Sequence, residues 1–229
     1  MIDVAANWER VRQQVAQAAR KVGRDPQSVR IIAVAKTTSV ELIEQAIRAG
    51  ATDIGENYVQ EAVAKIPRIS TPVTWHMIGH LQRNKAARAV ELFHVIHTLD
   101  SVALGDVLAR YGEHRGQPVR VLIEVNIGAE ATKHGVRAEQ VEGLLAALAD
   151  RRWLVIDGLM TIPPLVESVE AARPHFRGLR QLRDQLRRHA PSNAPLRELS
   201  MGMSDDFVVA IEEGATLVRI GRAIFGERT

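Results

Sequence analysis

Two hydrophobic rhythms alternate along this chain. Short apolar runs recur, and each is followed by a stretch whose apolar residues fall three and four apart. Val4, Trp8, Val11, Val15, Ala18 and Val22 predict an amphipathic helix over 3–22, stopped by Gly23, with a turn beginning at Asp25-Pro26. The run from Arg30 to Lys36 is apolar without polar alternation, the pattern of a strand buried on both faces. Ser39 caps a helix over 40–49, with Glu41 in its first turn and Gly50 as its stop. Further strands are predicted over 52–55, 73–78, 95–99, 119–125, 154–161, 197–200 and 216–220. Helices are predicted over 57–66, 83–92, 101–111, 138–150, 166–189, 205–213 and 222–225. The helix over 166–189 follows the break at Pro163-Pro164.

Strands that alternate with helices imply a parallel sheet. Eight such units in 229 residues, with no linker and no change of composition, predict an α/β fold. It is a single (β/α)8 TIM barrel domain over 1–229 with an extra N-terminal helix. An open doubly wound sheet is the alternative. No strand is followed by Gly-x-Gly-x-x-Gly, so the dinucleotide fingerprint of that fold is missing.

Composition narrows the classes. With 46% hydrophobic and 25% charged residues the chain is ordinary globular material, able to bury a large core. It has no cysteine, which excludes disulfides and thiolate metal sites. The first twenty residues carry Asp3, Glu9 and several Arg and Gln, unlike a signal or transit peptide, and no stretch has the length of a membrane span. A cytoplasmic location and no membrane partner are expected. The net charge of +3 is spread over predicted helices, densest between Arg177 and Arg188. Aromatic residues make up 4% and do not interleave with that group, so a solvated helix face is expected there and no nucleic acid.

In such a barrel, chemistry gathers at the C-terminal ends of the strands. The first strand ends on Lys36, one of only five lysines among thirty basic residues. Burial disfavours the charged amine and would supply the free base that Schiff-base chemistry requires. The other reading has Lys36 snorkel its head to solvent. After the seventh strand comes Ser200-x-Gly202-x-Ser204, and after the eighth Gly221-Arg222, each opening a helix. Hydroxyls and backbone N–H groups there suit a phosphate; helix capping by Ser204 and a turn at Gly202 would account for the residues without one. A Schiff-base lysine beside a phosphate cradle suggests pyridoxal 5′-phosphate (PLP). Arg219, at the end of the eighth strand, is then the expected partner of the ring nitrogen, which an arginine keeps unprotonated as a weak electron sink.

The strings Ala33-Val34-Ala35-Lys36-Thr37, Gly55-Glu56-Asn57-Tyr58-Val59-Gln60-Glu61 and Trp75-His76-Met77-Ile78-Gly79-His80-Leu81-Gln82-x-Asn84-Lys85 extend this picture. So do Leu199-Ser200-Met201-Gly202-Met203-Ser204-x-Asp206 and Val218-Arg219-Ile220-Gly221-Arg222-x-Ile224-Phe225-Gly226. Together they resemble the pyridoxal phosphate homeostasis proteins over nearly the whole chain. The resemblance implies a fold-type III barrel like the N-terminal domain of alanine racemase. It also implies a Schiff base on Lys36, Asn57 at the ring, and Ser200, Gly221 and Arg222 at the phosphate, with Arg219 facing the ring nitrogen. It places His80 near the ring face and links Lys133 to PLP handling.

Racemisation needs an acid–base group on each face of the substrate. Alanine racemase takes its second group, a tyrosine, from a C-terminal domain that this chain is not expected to have. The tyrosines here are Tyr58, on the predicted second β/α helix, and Tyr111, at a helix end far from the strand ends. The chain is therefore expected to be a carrier or regulator of PLP rather than an enzyme, monomeric, with PLP-requiring apo-enzymes as possible recipients. Alternatives are a PLP-dependent amino-acid racemase and a cofactor-free Schiff-base aldolase. His76, His80, His94 and His97 lack a carboxylate to complete a ligand set, so no metal is expected.

Overall fold

Uninterrupted apolar runs make strands that must be covered on both faces, and a ring of parallel strands inside a layer of helices does this. The computed structural model describes residues 2–130 and 133–227. Its strands are β1 (Arg30–Val34), β2 (Asp53–Glu56), β3 (Thr74–Met77), β4 (Val95–Leu99), β5 (Val119–Asn126), β6 (Val136–Arg137), β7 (Leu154–Met160), β8 (Glu198–Ser200) and β9 (Leu217–Ile220). They pair in the order β4-β3-β2-β1-β9-β8-β7-β5-β6, and a β4–β5 pairing closes the ring. The two-residue β6 lies outside the ring, bonded to the end of β5. What remains is the expected closed, eight-stranded parallel barrel.

The helices are α1 (Val4–Lys21), α2 (Val40–Arg48), α3 (Val59–Lys65), α4 (Ala86–Leu92), α5 (Val102–Arg115), α6 (Val141–Ala147), α7 (Arg173–Leu186), α8 (Phe207–Glu212) and α9 (Arg222–Phe225). The extra helix α1 is capped by Asp3, whose carboxylate accepts from Ala6 N at 2.9 Å. It buries Val4, Trp8, Val11 and Val15 against α2, α8 and α9. Each such side chain contributes about 1.5–3 kcal/mol by leaving water.

Strand alternation divides the core in two. A large apolar cluster fills the space between strands and helices, including Trp75, Ile96, Phe176 and Val218. A small one, Ile32, Val95, Leu122, Met160 and Leu217, fills the barrel interior. The rest of that interior is polar.

Several boundaries differ from those the sequence predicts. The helix expected over 166–189 is a 3-10 turn, Val169–Ala172, followed by α7. Pro174 sits in the first turn of α7, where its missing N–H costs nothing, and its ring restricts the residue before it. The helices expected over 83–92 and 138–150 likewise begin as 3-10 turns, and that over 57–66 starts only at Val59. The first strand ends at Val34, two residues before Lys36.

Candidate functional site

A cleft of about 490 Å³ opens at the C-terminal ends of the strands, over the seam where β1 pairs with β9. Lys36, Asn57, Arg219, Gly221 and Arg222 all line it, joined by Ser204.

Lys36 is half-buried and sits on a turn under tension. Thr37 has φ +60°, a left-handed conformation that a β-branched residue adopts only when its surroundings enforce it. The enforcement is visible. Thr37 N donates to Glu61 Oε2 at 2.8 Å. Lys65 Nζ donates to that same oxygen at 2.6 Å, to Ala35 O at 2.8 Å and to Glu56 Oε1 at 2.9 Å. One buried ammonium thus ties the end of β1 to α3. Glu56 is fully buried, and burial pushes its pKa up to about 7, although the Lys65 bond opposes this. Burial acts on Glu61 in the same sense, but the bonds from Lys65 and Thr37 and the nearby charge of Lys36 bring its pKa below the usual value.

Arg219 projects from β9 into the cleft and is 4% exposed. Its Nη1 donates to Ser200 Oγ at 2.7 Å and its Nη2 to Thr161 O at 2.9 Å. Burial lowers its pKa to about 10, with the charges of Asp206 and Glu124 opposing, so it stays a cation at neutral pH. Asn57 stands at the end of β2, and its Oδ1 is buried with no hydrogen-bond partner among the described residues. A buried amide oxygen without a donor is costly unless a ligand supplies one.

Ser200 is not among the cleft residues, in contrast to the expectation that it meets the phosphate. It is fully buried, and its hydroxyl is shared between Arg219 and His97, the latter at 3.0 Å. The reason is strand parity: the last residue of β8 points into the barrel interior, below the cleft. Ser204 stands at the rim instead, four residues on. Gly202, at φ +92°, makes that turn possible, since a Cβ there would lie 2.5 Å from Ala210 Cβ. Asp206 fixes the loop by accepting from Met203 N at 2.6 Å. Arg222 opens α9 and is paired with Asp205 and, at 3.7 Å, with Glu227; all three line the cleft.

His80 and Lys133 are not among the cleft-lining residues. The His80 ring stacks on His134 with centroids 4.0 Å apart, and its Nδ1 is 3.6 Å from Asp100. Lys133 Nζ donates to Pro163 O at 2.9 Å and meets Glu130 at 2.8 Å. His94 Nδ1 accepts from Trp75 N, while His97 faces the barrel interior. Among the described residues no group of three or more His, Asp or Glu is placed to hold a metal. Three arginines of α7, Arg173, Arg177 and Arg180, pair with Glu213, the C-cap residue of α8. No helix among the described residues is long and apolar enough to cross a membrane.

Sequence reasoning missed the Lys65 brace and the interior pairing of His76 with His97, 2.9 Å apart. The signal for both was parity. His76 and His97 fall on inward positions of neighbouring strands, and Glu56 on an outward one facing α3.

Residues 4–229 match the family described as alanine racemase, N-terminal domain. The pyridoxal phosphate homeostasis protein of Aquifex aeolicus is 41% identical over 220 residues, 96% of each chain. Within that barrel family, the chain belongs to the pyridoxal phosphate homeostasis proteins. Among solved structures, PipY of Synechococcus elongatus with PLP bound is 34% identical, with a TM-score of 0.83 over 98% of this chain and all of that one. An unknown protein from Bifidobacterium adolescentis is also 34% identical, with a TM-score of 0.91 over 98% of both chains.

Proposed function

We propose that this protein binds pyridoxal 5′-phosphate in the cleft and serves PLP homeostasis in the cytoplasm, holding the cofactor and handing it to apo-enzymes. The observation that carries this reading is one cleft holding a half-buried amine at one strand end and a hydroxyl, bare backbone and a guanidinium at the next. Lys36 would hold the cofactor through its amine, which is suited to a reversible imine with the aldehyde as water is released. Ser204, the Gly221 backbone and Arg222 hold the phosphate. Asn57 would lie at the ring, where a donor on the cofactor would satisfy its buried Oδ1, and Arg219 would stand beside the ring nitrogen as a donor. The orphaned amide oxygen and the open cradle fit the group. When bound, the cofactor supplies a reversible imine and a modest electron sink.

The reading of carrier rather than catalyst rests on the same residues. Apart from Lys36, the ionisable side chains lining the cleft among the described residues are Arg219, Arg222, Asp205 and Glu227. Arg219 has both terminal nitrogens engaged, and the two carboxylates pair with Arg222. Tyr58 and Tyr111 are not among the cleft residues. This leaves no acid–base group opposite Lys36, and the protein acts as a monomer whose cofactor is accessible from solvent.

The test is an absorption spectrum of the purified protein with added PLP, before and after borohydride, followed by peptide mapping. A visible-edge band and a reduced phosphopyridoxyl adduct on Lys36 are expected, both absent in Lys36→Ala. A protein that stays colourless would overturn the reading of PLP binding. Sustained racemase or transaminase turnover that is lost in Lys36→Ala would overturn the carrier reading alone.

A further inference from the structure

Beneath the cleft, five polar side chains from five strands form an unbroken hydrogen-bonded chain through the barrel. Arg219 of β9 bonds Ser200 of β8 at 2.7 Å, and Ser200 Oγ lies 3.0 Å from His97 Nδ1 on β4. His97 Nε2 is 2.9 Å from His76 Nδ1 on β3, and His76 Nε2 is 2.8 Å from Asp53 Oδ1 on β2. None of the five is more than 4% exposed. Asp53 is further held by Thr52 Oγ1 at 2.8 Å and by Arg30 at 3.4 Å, and Arg30 reaches solvent at the opposite end of the barrel.

The protons of this chain follow from its two ends. A guanidinium only donates, so Arg219 occupies a lone pair of Ser200 Oγ. The Ser200 proton then needs an acceptor, and among the described residues His97 Nδ1 is the one in reach. His97 therefore carries its proton on Nε2 and gives it to His76 Nδ1. His76 in turn carries its proton on Nε2 and gives it to the Asp53 carboxylate. With the Ser200 proton given to His97 and Asp53 ionised, each of the four contacts has one proton and one lone pair, and both imidazoles are neutral and share this tautomer. Burial, the main influence on both rings, lowers their pKa values and favours that state. The other titratable or charged groups facing the chain are Arg30 and His94 beside the histidines, and Glu124 and Asp206 around Arg219.

We propose that Asp53, His76, His97 and Ser200 are positioning residues that lock Arg219 in a single orientation and protonation state, so that a ring nitrogen in the cleft meets a donor that can neither turn away nor release its proton. The inference deepens the proposed PLP site and rests on that reading. It gives the weak sink a structural origin away from the cofactor-lining residues: the carboxylate that anchors the chain stands on β2, in register with Arg219 through Ile32 of β1. Buried polar chains polarise along their length, so the anchor is felt at Arg219 without touching it.

Two measurements decide it. Long-range proton–nitrogen spectra of the wild-type protein without cofactor should show His76 and His97 neutral and protonated at Nε2 from pH 5 to pH 9. Titration of either ring in that range, or a proton on Nδ1 of either, would overturn the chain. In the PLP-loaded protein, Ser200→Ala should shift the visible band and weaken PLP binding about tenfold, as expected for a lost charge-assisted hydrogen bond. Borohydride trapping on Lys36 should persist. Asp53→Asn, which keeps an acceptor oxygen and removes the charge, should shift the band in the same direction with an affinity loss of about threefold. A variant less stable yet identical to wild type in band and affinity would reduce the chain to a packing role and overturn the proposal. Should the wild-type protein take up no PLP, the proposed function fails, and the tautomer spectra still decide the chain.

Discussion

The two faces of the barrel wall hold the molecule together in different ways. Outside, between strands and helices, the contacts are apolar and numerous, and helix α7 contributes Phe176 and Leu179, both fully buried. Inside, five apolar side chains share the space with Asp53, His76, His97, Ser200 and Arg219. Packing outside is tolerant in direction, because dispersion and burial do not care which way a methyl group points. Order inside is directional, since every proton has one assigned acceptor. The outer layer supplies stability, and the inner one supplies orientation at the cleft.

That division can be broken from either side. The largest effect is expected from Phe176→Ala, which should cost about 3–5 kcal/mol in urea unfolding and leave PLP trapping on Lys36 unchanged in the folded fraction. A loss of binding well below the unfolding midpoint would mean that the outer layer also sets the site. Next is Gly79→Ala. A Cβ at Gly79 would stand 2.2 Å from the backbone oxygen of Asn57, so the cleft edge must move. A cost of about 1–3 kcal/mol is expected, together with weaker PLP uptake measured by titration.

Glu124 sharpens the comparison through pH. It faces inward at the end of β5, its Oε2 has no partner among the described residues, and burial, aided by the charge of Asp100 and opposed by Arg219, raises its pKa to about 7. Below the ordinary value of 4.5 the group is protonated both folded and unfolded. Between 4.5 and about 7 the unfolded chain gives up the proton first, so stability falls as pH rises through that window and levels off above it. Glu124→Gln should therefore be more stable than wild type at pH 8, by up to about 3 kcal/mol, and equal to it at pH 4. Urea titrations at the two pH values check this; an equal difference at both would assign the gain to packing. Glu56 adds a slope of the same sign that persists in the variant. The smallest effect is at the solvent edge. Asp205 pairs with Arg222; if Arg222 holds the phosphate as proposed, Asp205→Asn should tighten PLP binding about two- to fivefold, within the range of exposed ion pairs. High salt should erase the difference.

The barrel was legible because each strand is bounded by a clear turn and each helix carries its own spacing. Lys36, Asn57, Arg219, Gly221 and Arg222 could be gathered because they follow strand ends, and the fold brings strand ends together. Ser200 falls outside the cleft lining because strand parity turns it inward, whereas in the sequence a serine beside Gly202 and Ser204 looks like part of the same loop. The 3-10 turns before α4, α6 and α7 were lost because apolar spacing over one short turn does not distinguish 3.0 from 3.6 residues per turn. The histidine pair was hidden because His76 and His97 come from separate strands, and only the closed ring puts their nitrogens in contact.

The cleft straddles the join between the first and last strands of the ring, with Ile32 level with Arg219. On a ribosome, the amine of Lys36 is made early and must wait for β9 before Arg219, Gly221 and Arg222 exist beside it. A nascent chain halted before Leu217 would carry the reactive lysine without the cradle that selects its ligand. On the proposed reading, cofactor capture therefore requires that synthesis has passed the last strand. A molecule seated across the join also acts as a rivet, opposing the opening motion that would separate β1 from β9.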